Sequence, residues 1–152
     1  RVPYIVRWPG RIKAGSTTNH LSYFPDLMPT LGELVGAKVP KATDGLSFLP
    51  TLLGKGEQTQ HDFLYWEYLT QIAVRQGNWK LYRQNEKLGW KLYDLSTDTL
   101  EEKDLAGANP ELVQSLIEKA EASHTPAVGG TWIDESQGYG AFRKQSRAKK
   151  KK

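Results

Sequence analysis

The side chains best suited to chemistry in this sequence are its three histidines, His20, His61 and His124. None of them is followed by a second histidine or a carboxylate three or four residues further along a predicted helix, the spacing that places two metal ligands on one helical face. The acidic pairs at 101–102 and 134–135 fall in predicted turns or irregular stretches, where solvated charges are usual. The histidines are therefore predicted to be loop or surface residues, and no metal or acid–base centre is predicted.

Motifs for nucleophilic or phosphate chemistry are also missing from the sequence. It contains no cysteine, which excludes thiolate nucleophiles, disulfides and iron–sulfur clusters. It contains no G-x-S-x-G elbow and neither of the glycine-rich phosphate loops. The aromatic residues allow two interpretations, a stacking platform for sugars or bases or the packing face of a sheet, and packing is favoured. The residues concerned are Tyr65, Trp66, Tyr68, Trp79, Tyr82, Trp90 and Tyr93.

The net charge of +4 is concentrated at one end of the 152-residue chain. Seven of the 21 Lys and Arg residues lie in 143–152, which leaves 14 basic residues against 17 acidic ones elsewhere. A nucleic-acid-binding domain needs basic residues clustered on a folded face, so nucleic acid is not predicted as a partner. No apolar run approaches the ~20 residues of a membrane span, so no membrane partner is predicted.

The elements that must position these residues begin with a short apolar strand predicted over residues 2–6. A strand of this kind is buried on both faces, so its neighbours are expected upstream, in a longer polypeptide. Asp26 is predicted to cap a helix that ends at Gly36, and Ser47 to cap a short helix that ends at Gly54. The polar residues 55–60 are the predicted internal boundary.

Beyond this boundary the sequence predicts a small sheet. Aromatic and branched residues form four short runs, at 63–68, 72–76, 79–83 and 90–95. The connections are short, and Gly77-Asn78 is typical of a tight turn, so the four strands are predicted to form an antiparallel meander. Asn109-Pro110 predicts the start of a helix whose apolar side covers one face of the sheet. The predicted fold class is therefore α+β.

Seven short phrases of the sequence are informative through their order. They are Arg1-Val2-Pro3, Ile5 to Gly10, Asp26 to Leu31, Asp44 to Ser47, Leu64 to Glu67, Ala73 to Leu81, and Leu92 to Leu95. Each phrase is weak alone. Together they resemble the C-terminal third of a formylglycine-dependent sulfatase of the arylsulfatase type, in the alkaline-phosphatase superfamily.

The resemblance implies a C-terminal sulfatase subdomain, with a four-stranded antiparallel sheet and a packed helix, preceded by a strand and two helices of the α/β catalytic domain. The implied organisation is the end of that domain at 1–54, the subdomain at 55–124, an irregular wrap at 125–142 and a basic disordered tail at 143–152. The missing N-terminal sulfatase domain is the implied partner, and calcium and formylglycine are expected there. The C/S-x-P-x-R motif that gives rise to formylglycine does not occur in this sequence. No catalytic residue, metal ligand or cofactor is therefore transferred to this chain, which alone is predicted to be inactive.

For function, the resemblance implies that the whole protein hydrolyses sulfate esters, with sulfated carbohydrate as the expected substrate, and that this chain shapes the substrate pocket. Arg1, His20, His124 and Trp132 are candidates for the pocket rim on loop position alone. Two alternatives stay open: a phosphodiesterase or phosphonate hydrolase of the same superfamily, and a non-enzymatic binding or assembly module. Further expectations are a periplasmic or secreted location, a homo-oligomer, and capture of sulfated polysaccharide by the basic tail.

Overall fold

The computed structural model describes residues 3–125, which divide into two units, residues 3–62 and residues 63–125. The first unit includes the predicted linker at 55–60, which is bonded to it. The Gln58 side-chain amide donates to the Ser47 carbonyl oxygen over 2.8 Å, and its oxygen accepts from the Thr51 hydroxyl over 2.7 Å. Residues 1 and 2 lie outside the described residues, as does all but residue 125 of the predicted wrap and tail. None of the helices within residues 3–125 has the length and apolar character that crossing a membrane requires.

The first unit contains two helices. These are α1 (Leu27–Val35), which follows a single 3₁₀ turn at Phe24–Asp26, and α2 (Leu49–Leu53). Both helices end as predicted, at Gly36 and Gly54, whose φ angles of 66° and 61° are left-handed values that glycine adopts without strain. The prediction of Ser47 as the cap of α2 is wrong, because the N-cap is Phe48, which has no side chain that can accept a hydrogen bond. The Ser47 hydroxyl instead accepts from the Leu49 N–H over 3.2 Å, a local turn contact just before the helix.

The segment before these helices forms no strand, so the prediction of a strand over residues 2–6 is wrong for the described chain. A strand needs a hydrogen-bonded neighbour, and no strand forms anywhere within residues 3–62. The apolar side chains of this segment are accordingly exposed, with Ile5 at 90%. Tyr4 packs edge-on against the ring of the buried Phe48, with 5.7 Å between ring centres.

The second unit is built on a four-stranded antiparallel sheet in chain order, as predicted. Its strands are β1 (Leu64–Tyr68), β2 (Gln71–Gln76), β3 (Trp79–Arg83) and β4 (Trp90–Asp94). Gly77 and Asn78 form the two-residue turn between β2 and β3, and Gly77 has a φ of 54°. Turns of two residues set the register of a hairpin, which explains why local sequence predicts this sheet well.

One face of the sheet is covered by the helix α3 (Pro110–Ser123). The buried core between them consists of Val74, Leu81, Leu92, Leu116 and Ala120, each at most 2% exposed. The predicted apolar side of the helix is confirmed, because Leu112 and Ile117 also pack on this core. Tyr65, Trp79 and Trp90 pack there too, so the packing interpretation holds for these three aromatic residues.

The opposite side of the sheet, called the open face below, carries the alternate set of side chains, because directly opposed residues share a face. These are Leu64, Trp66, Tyr68, Gln71, Ala73, Arg75, Lys80, Tyr82, Lys91 and Tyr93. Three of them are basic and none is acidic. Leu64 and Tyr93 are buried, whereas Trp66 and Tyr68 are 41% and 65% exposed. Packing in the core therefore does not account for the aromatic residues at the exposed end of this face.

Candidate functional site

The Asp26 cluster, made of Asp26, Tyr23, Leu46 and His61, surrounds a fully buried carboxylate in the first unit. The Oδ1 atom accepts from the Leu46 N–H and from Nε2 of His61, each over 2.8 Å. The Oδ2 atom accepts from the Tyr23 N–H over 3.0 Å. Asp26 stands at the predicted capping position of α1, but its carboxylate does not bond the helix. It instead joins three segments that are distant in sequence.

Neighbouring groups extend this hydrogen-bond network through the first unit. The Thr30 hydroxyl donates to the Asp26 carbonyl oxygen over 2.6 Å and accepts from the Phe48 N–H over 3.0 Å. The Tyr23 hydroxyl donates to the Asp44 carbonyl oxygen over 2.8 Å. The Tyr23 and His61 rings meet edge-on at 5.1 Å. These contacts hold the start of α1, the segment before α2 and the end of the unit in one arrangement.

In many hydrolases a buried Asp–His pair orients the general base, and the Asp26 cluster contains a pair of these two residue types. Such a pair acts on a serine, threonine or cysteine held by the other ring nitrogen. Among the hydrogen bonds described for residues 3–62, none joins His61 to a serine or threonine hydroxyl. Asp26 is also occupied by two backbone N–H groups. The hydrogen bonds described for the cluster are those of a group that holds segments of the first unit together.

His20, one of the predicted rim residues, lies in the first unit beside Phe48, with 6.4 Å between the two ring centres. Its Nδ1 atom is buried and has no hydrogen-bond partner within residues 3–125. Burial lowers the pKa of His20, although Asp26 and the Gln60 side chain act in the opposite direction. A neutral imidazole is thus favoured here, and this ring does not offer a fixed positive charge to an anion.

His124, the other described rim candidate, belongs to the Glu67 cluster in the second unit, formed by Glu67, Tyr65 and His124. Oε2 of Glu67 accepts from the Tyr65 hydroxyl over 2.6 Å and bonds Nδ1 of His124 over 2.9 Å. Burial alone would raise the pKa of Glu67, but these two hydrogen bonds, with the positive charge of Arg83, lower it. Burial and the adjacent Glu67 raise the pKa of Tyr65, so the phenol stays protonated and donates. The cluster ties the end of α3 to the outer strand β1.

The described rim candidates thus lie in separate units, each with its own surroundings, and Arg1 and Trp132 lie outside the described residues. The sequence carried no signal for either cluster, because Asp26 and His61 are 35 residues apart and Glu67 and His124 are 57 apart. Within residues 3–125, no three His, Asp or Glu side chains converge to hold a metal ion. The described residues therefore do not fit a calcium site, and we assign them no calcium ligand and no step that depends on one.

A four-stranded antiparallel meander covered on one face by a helix defines the second unit as an α+β subdomain. The chain belongs to the family described as "N-sulphoglucosamine sulphohydrolase, C-terminal", whose sequence model matches residues 1–124. The resemblance to the C-terminal part of a sulfatase is therefore confirmed, and so is the α+β fold class.

Individual relatives agree with this assignment. The ulvan-active sulfatase of Formosa agariphila is 32% identical over an alignment that covers 78% of this chain and 31% of the relative. Arylsulfatase A of Homo sapiens is 33% identical over 76% of this chain and 29% of its own length. A solved structure of a protein bound to its substrate D-glucosamine-2-N,6-O-disulfate superposes with a TM-score of 0.64 at 26% identity, covering 78% of this chain and 27% of that protein. The chain thus spans less than a third of each of these proteins.

Proposed function

We propose that this chain is the C-terminal portion of a sulfatase that hydrolyses sulfate esters of a carbohydrate. The observation that carries the proposal is the family match over residues 1–124. Two comparisons support a sulfated carbohydrate as the substrate: one relative is described as active on ulvan, and the structural relative was solved with a disulfated glucosamine. A periplasmic or secreted location is part of the proposal, as expected from the family resemblance.

Within that enzyme, we assign the chain a supporting role. In the upstream domain of such an enzyme, formylglycine would supply the nucleophile and calcium would supply positive charge for the sulfate group. The sequence contains neither a cysteine nor the C/S-x-P-x-R motif, so the nucleophile is expected in the upstream domain. The residues described here hold segments together, through the Asp26 and Glu67 clusters, and add no nucleophile of their own.

The surface of α1 supports packing of the first unit against that upstream domain. Met28, Leu31 and Val35 of this helix are 49%, 57% and 75% exposed, and Phe24 just before it is 83% exposed. Beside them lies an open cavity of about 600 Å³ whose lining includes Met28 and Leu31. A contiguous apolar surface of this kind is typical of an interface rather than of a face in contact with water. The proposed occupant is the catalytic domain of the same polypeptide.

The test compares two purified proteins, the 152-residue chain and a longer polypeptide that adds the upstream domain. Both are assayed for hydrolysis of a chromogenic aryl sulfate and of a sulfated oligosaccharide, with heat-treated samples as controls. We expect turnover by the longer protein and none by the chain alone. Hydrolysis by the chain alone would contradict the proposal that the nucleophile lies in the upstream domain. Turnover of phosphodiesters or phosphonates without any turnover of sulfate esters would overturn the proposed reaction.

A further inference from the structure

The open face of the second unit's sheet combines exposed aromatic rings with an exposed lysine, Lys91. One row across the four strands consists of Trp66, Ala73, Tyr82 and Lys91, which are directly opposed in register. The small side chain of Ala73 lies between the two aromatic residues. Because adjacent strands are separated by about 4.8 Å, the backbones that carry Trp66 and Tyr82 lie about 10 Å apart. Only the methyl group of Ala73 lies between them.

A shallow depression of about 160 Å³ occupies this position. Its lining consists of Trp66, Tyr68, Gln71, Ile72, Ala73 and Tyr82. It is smaller than the roughly 300–1,000 Å³ of sites that enclose a ligand, so it suits a single ring that rests on the surface by one face. Sugar rings have such a face, because their axial C–H bonds form an apolar side that packs flat on aromatic rings.

Polar groups around the depression suit hydroxyl and sulfate groups. The Tyr82 hydroxyl donates to the side-chain oxygen of Gln71 over 2.8 Å, which positions the Gln71 amide N–H groups as donors at the edge of the depression. Lys91 is exposed beside Tyr82 and forms no described ion pair within residues 3–125. Lys80 on the same face is neutralised by Glu101 at 2.5 Å, so Lys91 is the residue we expect to contact an anionic group.

We propose that the depression on the open face binds one residue of a sulfated saccharide, with the ring on Tyr68 and Trp66 and a sulfate group near Lys91. The choice of a sulfated sugar rests on the proposed function, whereas the exposed aromatic side chains and the exposed Lys91 are observed independently. Of the basic side chains on this face, Lys80 is paired with Glu101, and the exposed Lys91 supplies a positive charge that favours an anionic partner over a neutral one. The site would hold a polymeric substrate beside the enzyme rather than take part in the reaction.

Binding of a heparin-derived tetrasaccharide to the 152-residue chain tests the proposal by calorimetry, with the desulfated tetrasaccharide as comparison. Tyr68→Ala should weaken binding about tenfold, as expected for loss of one stacking ring, and Tyr68→Phe should retain it. Lys91→Ala should weaken binding about threefold, and less at high salt. The basic residues of 143–152 are present in every variant, so their contribution to binding is common to all.

Matched controls come from the connection between β3 and β4. Leu88, at 58% exposed, has nearly the exposure of Tyr68, and Lys87 is an exposed cation outside the open face. Leu88→Ala and Lys87→Ala should bind as the unchanged chain does. The proposal is overturned if these controls weaken binding as much as Tyr68→Ala does, or if the sulfated and desulfated sugars bind equally. It is also overturned if Tyr68→Ala acts by dissociating a dimer, as sedimentation would show.

The longer polypeptide separates failure of this inference from failure of the proposed function. There, Tyr68→Ala should raise the KM for a sulfated oligosaccharide while leaving kcat/KM for a small aryl sulfate unchanged. Normal aryl sulfatase activity without any effect of Tyr68→Ala on the oligosaccharide overturns the binding site alone. Binding that depends on Tyr68 in a protein without sulfatase activity overturns the proposed function alone. A large loss of thermal stability in Tyr68→Ala, with unchanged KM, would show that another part of the polypeptide covers the face.

Discussion

Removal of the Asp26 carboxylate is the perturbation with the clearest expected consequence for the first unit. Asp26→Ala leaves the N–H groups of Leu46 and Tyr23 and the His61 ring without their acceptor in a fully buried position. Each buried donor without a partner costs about 1–3 kcal/mol, less where water enters the vacated space. Three such donors lose their acceptor, so the summed cost before water enters is about 3–9 kcal/mol. We therefore expect a loss of about 4 kcal/mol in the free energy of unfolding of this unit.

Asp26→Asn should be milder, because it keeps the size of the side chain and one acceptor oxygen. Its NH₂ group must then face a donor that previously met an oxygen, so we expect a loss of about 2 kcal/mol. A loss of about 4 kcal/mol should raise the population of the open first unit roughly 10³-fold in the alanine variant, while the second unit stays folded.

Hydrogen exchange followed by mass spectrometry distinguishes the two units in one experiment. In Asp26→Ala, peptides that contain residues 23 and 46–48 should lose protection, whereas those from β3 should keep it. Asp44→Ala is the matched control, because Asp44 is an exposed carboxylate of the same unit whose hydrogen bond to Tyr23 uses its backbone oxygen. Equal protection of residues 46–48 in the two variants would refute the reasoning.

Two further substitutions test other parts of the structure. A β-carbon at Gly45 would collide with the carbonyl oxygen of Pro25, so Gly45→Ala should destabilise the first unit by about 2 kcal/mol. Urea unfolding measures this loss. The control is Gly107→Ala, which should be near neutral because a β-carbon there would meet open space. Glu67 has a lowered pKa, so its charged form stabilises the native state above its unfolded pKa near 4.5, and this contribution is lost as the pH falls through the lower folded pKa. The stability difference between the unchanged chain and Glu67→Gln should therefore shrink with acidification, and a difference that stays constant would show that the hydrogen bonds of Glu67 to Tyr65 and His124 do not lower its pKa in the folded chain.

The parts of the fold that sequence predicts well are those that local geometry determines. The four strands, their order and the helix after Asn109 follow from periodicity, short turns and a proline at the first helical position. The strand over residues 2–6 was wrong for the opposite reason, because its pairing depends on a neighbour that is absent from residues 3–62. A hydrophobic pattern reports that a segment can be buried, without indicating what covers it.

The Asp26 and Glu67 clusters could not be predicted from local sequence, because their members come together only when the chain folds. Asp26 satisfies every local criterion for a helix cap, yet its carboxylate is used by Leu46 and His61, 20 and 35 residues away. The alternation of aromatic residues likewise predicts two faces of the sheet. The packing of α3 decides which of the two faces is covered. Trp66 and Tyr68 stay exposed because the helix covers the other face.

The chain-order arrangement of the sheet has a consequence for how quickly each unit reaches its native state. Each hairpin joins residues that are close in sequence, such as Tyr68 and Gln71 or Arg83 and Trp90, so little entropy is lost in closing the intervening loops. Domains with such low contact order fold rapidly, and docking of α3 then completes the core of the second unit. The first unit cannot form through short loops alone, because its Asp26 cluster requires contacts of Asp26 with both Leu46 and His61, which are distant in sequence. The sheet should therefore form before the hydrogen bonds of the first unit are complete.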